Sequence, residues 1–295
     1  MPRPPLTKRL GVALLLCGVV ALVATSAGGC GLLDTFHLEI TEYTCESPEI
    51  PPAFDGLRVA FLTDIHLGPT YTEQDLESVV GLVNLLQPDL VLLGGDYVYG
   101  STDYESACFA YLAELEAPLG CFAVLGNHDY APSAAAEPGP GQAVRAANDA
   151  GINLLRNQGI WLQIEGQRIR LGGVEDYQVG HPQWEPIGQG TNTDDFVLLV
   201  SHNPDFSEDL PPDAVDLVLS GHTHGGQVTI FGSWGLRVPS EYGQKYRTGI
   251  VENDVTTVIV SNGVGTSTPV PLRLFAPAQV VVLTLRAADS PSVHP

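Results

Sequence analysis

From Leu57 onward, short apolar runs alternate with stretches of helical spacing. Arg58–Thr63 reads as a short apolar strand. Leu76, Val79, Val80, Val83 and Leu86 then recur at helical intervals, which predicts a helix capped by Thr72 and closed by Pro88. Asp89–Leu93 is a continuous apolar run, the pattern of a strand buried on both faces. A second helix is expected between Thr102 and Glu116, and a third strand over Cys121–Leu125. Two successive strand–helix–strand units predict parallel strands with right-handed connections. Ala131–Gly141, rich in Ala, Pro and Gly, reads as a flexible loop or small insertion. Gln142–Ala150 reads as a helix ended by Gly151. The second half is richer in strands, expected at Trp161–Ile164, Ile169–Gly172, Val197–Val200, Val215–Leu219, Val255–Ser261 and Val280–Leu285. Tyr177–Asp195 reads as a long surface loop.

The pattern before Leu57 is different. Met1–Arg9 holds Arg3, Lys8 and Arg9 without an acid, and Leu10–Ala27 is almost wholly apolar. A basic stretch followed by an apolar one is an export or anchoring signal. Ser26, Ala27, Gly28 and Gly29 then lead to Cys30, as in a bacterial lipobox, although Ala27 stands where a larger aliphatic residue is usual. The expectation is a lipid anchor at Cys30, an uncleaved membrane anchor, or secretion, each with the main domain outside the cytoplasm. His37–Tyr43 alternates like a strand, and Pro48, Pro51 and Pro52 end that pattern.

Composition narrows the partners. The 295 residues carry 34 acids against 13 bases, a net charge of −21. Without the three positive charges before Cys30 the remainder carries −24. Such a surface repels phosphate backbones, so no nucleic-acid partner is expected. Cys45, Cys108 and Cys121 are the cysteines beyond the leader, too few for more than one internal bridge. No CxxC pair exists, which argues against a thiolate zinc site.

The chemistry lies in five polar clusters, each directly after an expected strand: Asp64-Ile65-His66, Gly94-Gly95-Asp96, Gly126-Asn127-His128-Asp129, Ser201-His202-Asn203 and Gly221-His222-Thr223-His224. Ligands of open α/β sheets bind at the carboxyl ends of strands. Carboxylate, amide oxygen and imidazole together suit Mn, Fe or Zn. Asp64, His66, Asp96, Asn127, His202, His222 and His224 are too many ligands for one tetrahedral ion and suit two ions sharing a carboxylate. Two such ions clamp a phosphoryl group and lower the pKa of a bridging water for in-line attack. His128 could protonate the leaving oxygen, and Asp129 could accept a hydrogen bond from its ring and raise its pKa.

These motifs, in this order, resemble the calcineurin-like metallophosphoesterase superfamily. The strings FDGLRVAFLTDIHLG, GGDYVYG, LGNHDY, VSHNPDF, LSGHTHGGQV and VSNGVGTSTPVPLRLF are similar to its bacterial membrane-associated branch, which includes YaeI- and YkuE-like phosphodiesterases and UDP-2,3-diacylglucosamine hydrolases. The resemblance implies an α/β fold, a four-layer α/β/β/α sandwich with the site at strand ends. It implies that Asp64, His66, Asp96 and His224 hold one metal and Asp96, Asn127, His202 and His222 the other, with Asp96 bridging and His128 as general acid. Gln279 departs from the acid that such relatives often carry near the last strand. The expected division is 1–29 signal peptide or membrane anchor, 30–56 lead-in strand and linker, 57–288 metallophosphoesterase domain and 289–295 tail.

The function expected is hydrolysis of a phosphate ester at the cell envelope, by two divalent or trivalent ions with Mn²⁺ first and Fe or Zn behind. The substrate would be a mono- or diester, lipid-linked or otherwise. Two alternatives are a UDP-2,3-diacylglucosamine-type pyrophosphate hydrolase, which an outward-facing domain disfavours, and a non-catalytic metal-binding envelope lipoprotein, which would have no need of His128. A metalloprotease is disfavoured by the lack of an HExxH pair.

Overall fold

A computed structural model describes residues 38–130, 139–267 and 272–288. The expectations placed on the N-terminal segment and Cys30, on most of the loop after Asp129 and on the tail lie outside these residues.

The first sheet is built from β1 (Leu38–Ser47), β2 (Arg58–Leu62), β3 (Leu90–Leu93), β4 (Cys121–Ala123), β5 (Asn153–Leu154) and β14 (Ala278–Ala287), in the order β1-β14-β2-β3-β4-β5. Its central strands β2 to β5 are parallel, and β14 runs antiparallel to β2. The second sheet holds β6 (Gln158–Ile164), β7 (Gln167–Gly173), β8 (Val197–Val200), β9 (Leu217–Ser220), β12 (Gly249–Glu252) and β13 (Thr257–Val260), in the order β12-β13-β9-β8-β7-β6. Here β7, β8, β9 and β13 are parallel. A small ribbon, β10 (Thr229–Ile230) with β11 (Trp234–Gly235), stands apart.

Period-two alternation sorts the side chains into layers. Val59 and Phe61 of β2 and Leu90 and Leu92 of β3 face a core shared with Leu171, Leu198, Val200, Leu217 and Leu219 of the second sheet. Ala60, Leu62, Val91 and Leu93 point the other way, onto α1 (Glu73–Leu85), α2 (Glu105–Leu112) and α3 (Gly141–Asp149). The helix α1 opens on the expected Thr72, whose hydroxyl accepts from the Asp75 N–H while Asp75 accepts from the Thr72 N–H. The outer face of the second sheet is thinner than a full helical layer. Val197, Leu199, Val218, Val258 and Val260 are covered by Ile187 of α4 (Glu185–Gly188) and by the single turns that carry Phe206 and Tyr246.

The segment read as a lead-in is part of the sheet: β1 pairs with β14 from Leu38 opposite Ala278 to Ser47 opposite Ala287. Cys45, Cys108 and Cys121 are free thiols. Gln279 turns its amide to use, its carbonyl accepting from the Asn262 N–H at 2.9 Å and its NH₂ donating to Thr41 at 2.6 Å. An ionised carboxylate there could not donate the second bond and would have to accept it from the Thr41 hydroxyl instead.

Candidate metal centre

All five clusters sit where parallel strands end, after β2, β3, β4, β8 and β9. The two sheets face each other, so the five loops converge. Their backbones interlock. Asp64 N–H donates to Gly95 O at 2.9 Å, His66 N–H to Asp96 O at 3.0 Å, and Gly221 N–H to His202 O at 3.0 Å. Asp64, His66, Asp96, His222 and His224 all have left-handed backbone, with φ of 55°, 53°, 56°, 67° and 53°. Non-glycine residues are uncommon there, and such strain gathers at functional sites because the surrounding structure holds it in place. Gly126 is required for a different reason: a Cβ on it would run into the Asp96 carboxylate and the His202 ring.

The side chains complete the convergence. His66 Nε2 lies 3.1 Å from His224 Nε2, and Asp64 Oδ1 is 3.2 Å from the latter. Asp96 Oδ2 stands between two histidines, 3.5 Å from His66 Nε2 and 3.3 Å from His202 Nε2. His222 Nδ1 is 3.2 Å from His202 Nε2. Ligand atoms of Asp64, His66 and His224 lie within 4.8 Å of one another, and so do those of Asp96, His202 and His222. A third such group joins His66, Asp96 and His128. Asn127 Oδ1 is buried without a hydrogen-bond partner beside them. At most one of two facing imidazole nitrogens can carry a proton, and a cation between them would take up both lone pairs and the stranded amide oxygen together. Oxygen and imidazole donors in this mixture make a divalent-metal site.

Electrostatics agrees with that use. Burial pushes His66 down to about 3 against the pull of Asp96. It pushes His222 down to about 3 and His224 well below its ordinary value, so these rings are neutral near pH 7. His202 is the exception: burial would lower it, but the adjoining Asp96 carboxylate raises it well above the usual range. Asp96 is held well below the carboxylate range, burial being outweighed by the His202 ring. Burial pushes Asp64 up to about 6, opposed by His202.

One expectation is corrected. Asp129 does not engage the His128 ring. It is buried, and its oxygens accept from the backbone N–H groups of Asp96 at 2.9 Å, Tyr97 at 2.8 Å and Gly126 at 2.8 Å. The three donors lie on both loops around it, so Asp129 staples the Asp96 loop to the Asn127 loop. His128 is placed by its own N–H, which donates to Asp96 Oδ1 at 2.8 Å, and its ring meets that of His66 at 4.8 Å between centroids.

Three residues escaped the sequence reading. Gln178, in the stretch taken for surface loop, puts its amide 3.1 Å from His222 Nε2. Arg273 is buried and donates to carbonyls of Asn262, Gly263, Gly265 and Ala276, bracing the loop behind Asp64 and facing the His224 ring. Tyr99 sets its ring 5.6 Å from that of His128. The centre opens into a cleft of about 660 Å³ whose lining includes Tyr99, Asn127, His128, Gln178, Val228, Leu236 and Arg237.

The sequence model described as calcineurin-like phosphoesterase matches residues 57–226. A metallophosphoesterase of Bacillus subtilis, YkuE, is 31% identical over 281 residues, covering 92% of this chain and 95% of its own length. One from Aquifex aeolicus is 33% identical over 272 residues, with coverages of 90% and 98%. A bovine transmembrane protein with metallophosphoesterase domain is 28% identical over 288 residues, covering 92% of this chain and 62% of that protein. With its metal-ligand clusters at the ends of parallel strands, the chain belongs to the calcineurin-like phosphoesterase family and is a metal-dependent hydrolase of phosphoric ester bonds.

Proposed function

We propose that two ions work here, one held by Asp64, His66, Asp96 and His224 and the other by Asp96, Asn127, His202 and His222, and that the substrate is a mono- or diester of the cell envelope. Mn²⁺ is proposed first, with Fe or Zn behind it, and the mixed donor set suits all three. When bound, such a pair would supply Lewis-acid stabilisation of the phosphoryl oxygens and would lower the pKa of a water toward neutral. The protein's own groups do the rest. His202 donates its Nδ1–H to Gly94 O at 2.8 Å, which leaves Nε2 for a cation. Gln178 Nε2 lies 3.1 Å from His222 Nε2; a half-turn of that amide would bring its oxygen there to accept the Nε2–H and leave Nδ1 for a cation in the same way. His128, half-buried at the cleft wall, gives a proton to the leaving oxygen.

The observation that carries this reading is Asp96 Oδ2 lying between His66 and His202, so that one carboxylate serves both clusters. Setting at the envelope is supported by the apolar run Leu10–Ala27 and by the bovine relative's description as a transmembrane protein. Among the described residues no helix is long and apolar enough to cross a membrane, so attachment in this reading rests on the N-terminal segment or on Cys30. The test is a panel of chromogenic mono- and diesters with Mn²⁺, Fe²⁺ and Zn²⁺. Turnover that chelator and Asp96→Asn both abolish is expected. Folded protein inert with every metal would overturn the reading.

A further inference from the structure

We infer that the hairpin Val228–Arg237 is a seat on the lipid bilayer, resting its apolar tip among the headgroups so that the mouth of the metal cleft faces the membrane. The inference deepens the envelope setting proposed above and rests on it.

Large apolar side chains exposed to solvent are few among the described residues, and they concentrate here. Ile230 is 49% exposed, Phe231 82%, Trp234 58% and Leu236 47%, all within seven residues. A cluster of that kind marks a binding surface, whereas scattered single residues do not. The hairpin is not a loose flap. Val228 bridges to Leu274, the Thr229 hydroxyl donates to Leu274 O, and Arg247 donates to Gly225 O and Gly232 O. It is thus braced at its base with its tip outward.

Topology places this tip beside the tether. Because β14 runs antiparallel to β2, its first residues lie at the end of β2 that carries Asp64. Because β1 is parallel to β14, Leu38 lies there too, opposite Ala278. The chain therefore enters the domain at the same end of the sheet as the metal ligands. Phe275, just before Ala278, sets its ring against that of Phe231, tilted by 42° with centroids 5.9 Å apart. Between the apolar run ending at Ala27 and Leu38 stand residues 28–37, which span at most roughly 35 Å when extended. An embedded leader holds this end of the domain within that distance of the bilayer.

Charge distinguishes this surface from the remainder. In a chain of net charge −21, the stretches 217–240 and 255–288 contain no Asp or Glu. Arg237 is exposed at the mouth of the cleft and makes no ion pair among the described residues, which leaves its guanidinium for a lipid phosphate. An apolar tip with a cation behind it is the chemistry of an interfacial membrane contact.

The experiment uses the full chain reconstituted in vesicles, some containing lipids brominated in the upper acyl chain. Trp234 is one of three tryptophans, so its emission is the difference between the native chain and Trp234→Phe. The expected result is quenching of that difference by brominated lipid and its loss in Phe231→Asp, with hydrolysis of a soluble chromogenic diester retained. Unquenched Trp234, or quenching that Phe231→Asp leaves intact, overturns the inference. So does a concentration-dependent dimer that Phe231→Asp abolishes without any lipid quenching, since a second copy would then own the patch. Quenching needs neither metal nor turnover, so its failure and a failure of the proposed hydrolysis are read separately.

Discussion

Substitution of Asp129 separates two roles for one carboxylate. Its Oδ2 accepts from the N–H groups of Asp96 and Gly126 and its Oδ1 from that of Tyr97, all at 2.8–2.9 Å and out of reach of solvent. Asp129→Ala strands three buried donors, each costing about 1–3 kcal/mol, so a loss of about 3–5 kcal/mol is expected after local relaxation. At about 2–4 °C per kcal/mol for a domain of this size, the melting temperature falls by roughly 10 °C. Asp129→Asn keeps the two bonds to one oxygen and sets its NH₂ against the Tyr97 N–H, a penalty of about 1–3 kcal/mol that relief of repulsion from Asp96 reduces. Both variants loosen the backbone that aims Asp96, so Mn²⁺ affinity falls with stability. Thermal melts, calorimetric Mn²⁺ titration and the pH–rate profile of diester hydrolysis measure the three consequences. If Asp129→Asn melts and binds metal like the native chain but shifts the alkaline limb of the rate profile, the carboxylate acts on the His128 ring and the staple is refuted.

Three further outcomes follow from the structure. Glu105 is buried in the first turn of α2 with neither carboxylate oxygen hydrogen-bonded among the described residues, and burial pushes it up to about 7 from 4.5, with Arg145 opposing. The folded state therefore holds a proton that the unfolded state gives up, and stability falls as pH rises from 4.5 to 7 and stays lost above. Urea melts should show Glu105→Gln more stable than the native chain by up to roughly 3 kcal/mol at pH 8 and nearly equal to it at pH 4.5; a difference independent of pH would sink this. A Cβ on Gly221 would collide with Asp64 Oδ2 and Thr63 Oγ1, so Gly221→Ala should weaken Mn²⁺ binding by about 10–100-fold, whereas Gly81→Ala, which meets nothing, should leave it unchanged. Mn²⁺ at a hundred times its dissociation constant should stabilise the native chain by about 2.7 kcal/mol, visible as a thermal shift that Asp96→Asn removes; equal shifts in both would place the ion elsewhere.

The layout of the sheets was legible because burial writes itself into the sequence. Val59, Phe61, Leu90 and Leu92 meet one core while Ala60, Leu62, Val91 and Leu93 meet another, so a strand covered on both faces has no polar position to spare. The helix from Thr72 was equally readable, because its cap and its apolar stripe are local. The two-residue strand β5 and the ribbon β10–β11 were not, since pairing over two residues leaves no periodicity. Trp161 is only half of its story: Arg168 lies over its ring at 3.7 Å on the neighbouring strand, a contact that spacing along the chain does not reveal.

The site divides along the same line. All nine residues singled out for it come together around one centre, because each sits next to the strand end that positions it. What failed was the assignment of Asp129 to its sequence neighbour His128. Adjacent residues share a backbone, not a direction, and in a tight turn the second side chain is free to face inward. Asp129 takes the inward course, where buried N–H groups of Asp96, Tyr97 and Gly126 need an acceptor more than a half-exposed imidazole does. Gln178 and Arg273 were hidden for the converse reason. They reach the centre from segments 44 and 49 residues distant from His222 and His224, and nothing in their own neighbourhood has a pattern to report. The candidate ligands are therefore a local property of five loops, whereas the walls of the cleft are assembled from the hairpin, the loop of Gln178 and the approach to β14, and only the folded chain brings these together.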